Sequence, residues 1–588
     1  MKNFFVRLLA FIGGLVVLAL VVVTLIAIGI RMVKARVPAK TLLEVNLETG
    51  LLEYVPDDPL AQVMLKDKPT LRGTVEALEK ASRDPKVVGL VATLGAAPMG
   101  MGQVQELRDA VIAFRAQKKA AVAYSETFGE AGPGNGSYYL ATAFDEIWLQ
   151  PSGDIGLTGF IFESPFLRGT LEKLGVTPRL DHRYEYKNAM NLFTERKYTP
   201  AHREANEKVM TSFFAQVVRG TAQGRKLTED QVRALVDKGP FYGQEAVEAK
   251  LVDGLAYRDE VYEKARKKAG EGAKLLYLSH YAKRAGRLHE KGKTVALIYG
   301  IGGVHRGKSD FDPFTGDASM GSDTVSAAFR SATLDKDVKA ILFRVDSPGG
   351  SYVASDAIWR ETMRAKKAGK PVIVSMGNVA GSGGYFVAMA ADKIVAQPGT
   401  ITGSIGVVGG KMLTTGFWDK LGLTWDEVHT SANSTMWTGT QDFTPAEWAR
   451  FQAWLDRIYA DFTSKVAEGR KLPKEKVLEL AKGRIWTGED AKSLGLIDEV
   501  GGYDVALKLA KQAAKIPEAE DVTLKVFPPR KEALEKLLEG PPESSDRAAV
   551  AAWIRVTEAL RPVVRRLQVL GLWDQPGVLS MPAPPANP

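Results

Sequence analysis

The sequence predicts an α/β protein made of two copies of one domain, preceded by an N-terminal transmembrane helix. Three observations predict it. The chain matches itself at a long period, each half alternates strand-like with helix-like runs, and the N-terminus carries a long uncharged apolar stretch. With 588 residues, 45% hydrophobic and 25% charged, there is material for two or three domains with cores of their own.

The anchor, 1–36, comes first. Leu8 to Ile30 runs 23 residues without a charge, enough as a helix to cross a hydrocarbon layer about 30 Å thick. It exceeds a signal-peptide apolar region of about 7–15 residues and has no A-x-A site after it, which predicts an uncleaved anchor. Arg31, Lys34, Arg36 and Lys40 balance Lys2 and Arg7, so charge leaves the orientation open.

Two repeats follow, expected over 40–263 and 293–515. GNGSYYLATAFDEIWLQPSGDIGLTGF (134–160) parallels GSGGYFVAMAADKIVAQPGTITGSIGV (381–407), and HRYEYKNAMNLFTERKYTPAHRE (182–204) parallels HTSANSTMWTGTQDFTPAEWAR (429–450). Asn135 and Ser382 are 247 positions apart and Asp253 and Asp498 are 245 apart, a duplicated domain rather than a solenoid unit. Within each copy, runs such as VVGLVATL and VKAILFRV alternate with helical patterns such as ASDAIWRETMRAKKAGK. That pattern predicts buried parallel strands with crossover helices. The charged stretch 264–292 reads as a linker, and 516–588 as a helical tail with a disordered PAPPANP end.

Composition excludes some chemistry. The absence of cysteine removes disulfides, thiolate metal sites and a cysteine nucleophile. The net charge of +9 is spread through mixed runs without interleaved aromatics, which argues against a nucleic-acid surface and fits an exterior near an anionic membrane.

Four patterns compete for the chemistry. GGVHRGKS (302–309) matches a phosphate-binding loop, which needs its lysine and serine to open a helix. The following DFDPFTGDASMGSD, with Pro313, Gly316 and Gly321, opposes that helix. GPGNG (132–136) reads as a turn. The six histidines are scattered without metal-ligand spacing, and His182 and His429 occupy equivalent repeat positions, which suggests a shared structural role.

The fourth is Ser382, on a glycine-rich turn between a strand-like and a helix-like run, where free amides can receive a developing oxyanion. Ala380 stands where a G-x-S-x-G elbow has its first glycine. DSPGGS (346–351) also follows a strand, and Gly349 and Gly350 could present amides to the same oxygen. Taken alone, a serine in such a turn is more often structural. The repeat argues for chemistry: Ser382 lies opposite Asn135 while Lys187 lies opposite Ser434, so each copy lacks one half of a Ser–Lys pair. Complementary loss is what a duplicated enzyme with one composite site leaves behind.

DSPGGS, AGSGGYFVAMAADKIVAQPGTITGSIGV and YEYKNAMNLFTERKYTP together resemble the signal peptide peptidase A (protease IV) family in its long, duplicated, membrane-anchored form, from the anchor to about residue 515. The resemblance implies crotonase-like or Clp-protease-like domains, Ser382 as nucleophile and Lys187 as general base, with Ser404 of T-G-S-I-G bonded to that lysine. Gly381 stands where the family usually has Ala or Ser. It also implies a homo-oligomer, a tetramer, in the bacterial inner (cytoplasmic) membrane, single-pass, with the catalytic portion facing the periplasm. The substrates it implies are short hydrophobic peptides, above all cleaved signal peptides.

Lysine accepts a proton only when neutral, and its ordinary pKa near 10.4 has to be brought down by burial. Gly383, with Gly349 or Gly350, is expected to supply the oxyanion amides. The scheme calls for no metal, nucleotide or other cofactor. Two rival readings are a non-catalytic membrane-tethered scaffold and a P-loop nucleotide-binding protein.

Overall fold

The computed structural model describes residues 36–65, 68–95, 99–313, 315–528 and 579–580. All of the expected anchor at 1–36 except Arg36, and most of the tail, lie outside the described residues, among which no helix is long and apolar enough to cross a membrane.

Two parallel sheets form the framework. The first has six strands, in the order Gly254–Leu255, Glu146–Leu149, Ala120–Ser125, Val87–Leu94, Thr41–Asn46 and Lys274–Tyr277. The second repeats that order with Glu499–Val500, Lys393–Ala396, Val372–Gly381, Val338–Ser347, Lys293–Ile301 and Val522–Phe527. It also adds Ile401–Gly403 and antiparallel Ile485–Thr487 beside the far end of Val372–Gly381. The central strands are apolar on both faces because helices cover both. The duplication extends to helix signals. Pro200–Arg225 and Pro445–Arg470 are each 26 residues long, begin with proline, and are capped by the side chains of Thr199 and Thr444.

Two expected boundaries are corrected. The stretch 264–292 is not a linker, because Lys274–Tyr277 pairs with Thr41–Glu44 and closes the first sheet. Its counterpart Val522–Phe527 pairs with Lys293–Ile298, so the second sheet runs past 515. Both are edge strands, and in Lys274–Tyr277 only Leu276 is buried, so the charge that suggests a linker belongs to a solvated edge. The phosphate-loop match also resolves. After His305 the next helix begins only at Ser322, so Lys308 and Ser309 open none.

The repeats interlock. Thr177–His182 of the first repeat pairs antiparallel with Val408–Leu413 of the second, in register from Thr177↔Leu413 to His182↔Val408. Arg344, fully buried on the second sheet, reaches Glu53 at 2.7 Å and Glu106 at 3.0 Å, both from the first repeat. The first core cluster itself includes Val379 and Ile401 of the second repeat.

Candidate active site

The site grows from the ends of the parallel strands, where α/β proteins place their ligands. Ser382 follows the strand Val372–Gly381 and precedes the short helix Gly383–Ala388. Its φ of 55° is unusual for a residue with a side chain. Two bonds hold it there: its N–H donates to Gly403 O at 2.8 Å, and its C=O accepts from Phe386 N at 2.8 Å. The backbone is thereby committed, and the hydroxyl is left to point at whatever faces the turn.

What faces it is Lys187. The cross-repeat ribbon explains why, since the chain leaves it after His182 and is held by the Tyr186 N to Lys482 O bond at 3.1 Å. Lys187 Nζ lies 2.8 Å from Ser382 Oγ, 3.0 Å from Ser404 Oγ and 3.1 Å from Ser404 O. All three residues are fully buried. Among the described residues no carboxylate pairs with the amine, and burial alone holds its pKa well below the usual 10.5. A neutral amine has two N–H groups and one lone pair, which match two contacts to Ser404 and one hydrogen bond accepted from the Ser382 hydroxyl.

Of the apolar residues that follow Lys187 in the chain, Phe193 is buried, whereas Ala189, Met190 and Leu192 are only partly buried. The second repeat closes in on Lys187. A methyl on Gly406 would lie 3.2 Å from Lys187 Cδ, and one on Gly483 would lie 2.5 Å from Lys187 N, Cα and Cβ. Only residues without side chains let these loops approach so closely.

The amide side is also assembled. A methyl on Gly383 would sit 2.9 Å from Gly350 N and 3.1 Å from Gly349 Cα, so the two glycine turns are in contact beside Ser382. Gly349 and Gly350 have φ of 101° and 153°. Gly349 N donates to Ser347 Oγ at 3.2 Å. On its outer edge the Gly349–Gly350 strand pairs antiparallel with Leu579–Ser580 of the tail.

The other patterns take structural places. Asn135, opposite Ser382 in the repeat, accepts from Thr158 N and Gly159 N and donates to Gly159 O, tying its own turn together. Ser434, opposite Lys187, is exposed. His182 and His429 do not share a role, because His182 is half-buried in the ribbon while His429 is exposed beside Glu427. Gly406 closes the T-G-S-I-G motif, whereas Gly483 carries no sequence signal beyond being a glycine.

Comparison with known proteins places this duplicated α/β chain in the class of serine peptidases. It belongs to peptidase family S49, whose family model matches residues 113–271 and 364–517. The chain is 32% identical over 458 residues to the chloroplastic serine protease SPPA of Arabidopsis thaliana, covering 76% of this chain and 66% of that protein. It is 32% identical over 460 residues to protease 4 of Salmonella typhi, covering 76% and 72% of the two chains. With protease 4 of Haemophilus influenzae the identity is 28% over 534 residues, covering 85% and 83%.

Proposed function

We propose that this chain is a membrane-anchored serine endopeptidase in which Ser382 attacks the scissile carbonyl and Lys187 is the general base. The observation that carries this reading is the 2.8 Å contact between the Ser382 hydroxyl and a buried amine that pairs with no carboxylate among the described residues. As Oγ bonds to the carbonyl carbon, its proton passes to Nζ, and the resulting ammonium is stabilised by Ser404 Oγ and O. The same ammonium then gives its proton to the leaving amine nitrogen as the peptide C–N bond breaks. Water hydrolyses the ester by the reverse route, again with Lys187 accepting and returning the proton.

The amides of Gly383 and Gly350 stabilise the tetrahedral oxyanion, with a contribution of about 3–4 kcal/mol per donor in comparable sites. Gly349 acts through the shape of the turn.

The substrates are short hydrophobic peptides, especially remnant signal peptides, bound extended. The antiparallel pairing of Leu579–Ser580 with Gly349–Gly350 supports this, because it occupies a strand edge with the backbone geometry a peptide would use. The repeats are crotonase- or Clp-protease-like, and the chain assembles as a homo-oligomer, a tetramer, in the bacterial inner membrane with this site on the periplasmic side. Exposed Leu421, Leu423, Trp425, Val428 and Trp437 give a second copy an apolar surface to cover.

The test is hydrolysis of a hydrophobic peptide by the full chain and its Ser382→Ala, Lys187→Ala and Lys308→Ala variants. The first two lose activity and the third keeps it; hydrolysis that survives Lys187→Ala overturns the proposed base.

A further inference from the structure

The strand that delivers Ser382 is irregular at one place. It pairs regularly with Val338–Ser347 up to Val345↔Met376, and the next pair is Ser347↔Ala380. One residue, Asp346, therefore faces three, Gly377, Asn378 and Val379, and the two strands are out of step by two residues just before both glycine turns. Such bulges re-aim the chain that follows them. The bulge fixes where Ser382 lies relative to the Gly349–Gly350 strand, because Asp346 precedes the latter by three residues and the bulge precedes Ser382 by the same interval.

Asp346 fills the bulge. Its half-buried carboxyl accepts through Oδ1 from Val379 N at 2.9 Å, and the Asn378 backbone amide also bonds to it. The fit is close: a methyl on Gly377 would lie 2.8 Å from Asp346 Cγ and 2.9 Å from Oδ2. The rest of the bulge is held from elsewhere. Gly377 O accepts from Thr400 Oγ1 at 2.7 Å, and Asn378 Oδ1 accepts from Gln103 N of the first repeat at 3.0 Å.

We propose that Asp346 is a positioning residue, whose carboxyl holds the Gly377–Val379 bulge and so sets the Ser382 hydroxyl against the Gly350 amide. It touches neither the nucleophile nor the base, and the inference rests on the proposed function only in taking Ser382 as the reacting group. Burial first, and then the charge of Glu53, pushes the Asp346 carboxyl up to about 7. The Val379 N–H makes the carboxyl a hydrogen-bond acceptor, a part that an asparagine oxygen can take over.

The experiment measures kcat and KM of the full chain as wild type, Asp346→Ala, Asp346→Asn, Gly377→Ala and the Asp346→Ala/Gly377→Ala double variant. Ser382→Ala and Lys187→Ala run alongside. Loss of the bulge misplaces the nucleophile by a fraction of an ångström to an ångström, so Asp346→Ala lowers kcat about 30- to 100-fold. KM stays within about threefold, because the strand edge that holds substrate is untouched. Asp346→Asn recovers most of the rate. Gly377→Ala lowers kcat in the same way, and the double variant is no slower than Asp346→Ala, since both changes act on the one bulge that Asp346→Ala has already released.

An unchanged kcat in Asp346→Ala, an Asn variant as slow as Ala, or losses that multiply in the double variant would each overturn the proposal. Should Asp346→Ala not fold, Gly377→Ala decides: reduced kcat at constant KM agrees, unchanged kcat refutes. Failure of the Ser–Lys reading shows separately, as hydrolysis persisting in Ser382→Ala or Lys187→Ala.

Discussion

Gly483→Ala tests whether the second repeat holds the proposed base in place. Gly483 has φ of 82°, and its N–H donates to Ile405 O at 2.8 Å, next to Ser404. Alanine in this conformation costs about 1–2 kcal/mol. Its methyl would lie 2.5 Å from Lys187 N, Cα and Cβ, whereas carbon atoms rest about 3.5 Å apart, so one backbone must retreat by about 1 Å. Overpacking of this kind adds about 1–3 kcal/mol, for a total destabilisation of about 2–5 kcal/mol. An ångström of retreat at Lys187 takes Nζ out of bonding reach of Ser382, and kcat falls about 100-fold. Gly369→Ala isolates the conformational cost, because Gly369 has φ of 78° with no atom within 4 Å of its added methyl. The assay is denaturant unfolding together with peptide hydrolysis for both variants. If Gly483→Ala folds and keeps its kcat, or if Gly369→Ala loses as much activity, the reasoning is refuted.

Three further outcomes are expected. Ser404→Ala removes the hydroxyl 3.0 Å from Nζ but keeps the carbonyl contact, so kcat/KM falls about 3- to 10-fold, the equivalent of one hydrogen bond. Lys187→Met changes how stability depends on pH. Between the lowered pKa of the folded state and 10.5, the unfolded chain binds a proton at Lys187 that the folded chain does not, so wild-type stability rises with pH there. Unfolding midpoints across that window show this slope in wild type and lack it in the variant. Arg344→Met strands the Glu53 and Glu106 carboxylates in the interior and destabilises by about 3–5 kcal/mol; a triple variant with Glu53→Gln and Glu106→Gln recovers much of that in the same unfolding measurement.

Much of the framework is legible in the sequence because duplication writes each element twice. Strand-like runs, the Thr-Pro helix starts and the turn at Ser382 recur at closely similar offsets, 245 for Thr199/Thr444 and 247 for Asn135/Ser382, and the mismatches Asn135/Ser382 and Lys187/Ser434 mark where the copies diverge. Asn135 keeps its turn by hydrogen bonds and exposed Ser434 is free to vary, so the same mismatches also mark which copy keeps which group. What is hidden depends on register and contact between the copies. Nothing in TPRLDH or VGGKML states that these segments pair with each other, yet that pairing brings Lys187 to Ser404. The two-residue bulge at Asp346 is invisible because a bulge changes pairing without changing composition. The strand KLLY is masked by its charged surroundings, since an edge strand buries one side chain and solvates the rest. His182 and His429 mislead because equivalent positions acquire different environments once one copy's segment is buried in a ribbon and the other's is not.

The absence of cysteine from the chain allows the proposed base to be replaced atom by atom. Lys187→Cys would carry the only thiol, and alkylation with 2-bromoethylamine in denaturant, followed by refolding, rebuilds a lysine with sulfur in place of one methylene and a less basic amine. The decisive measurement is the pH profile of kcat/KM for wild type, the inactive cysteine variant and the rebuilt enzyme. The account predicts that activity returns on alkylation with its rising limb displaced to lower pH, because the amine that titrates is the amine that takes the Ser382 proton. Activity in the unalkylated variant, or a restored activity whose limb stays where the wild type has it, would contradict it.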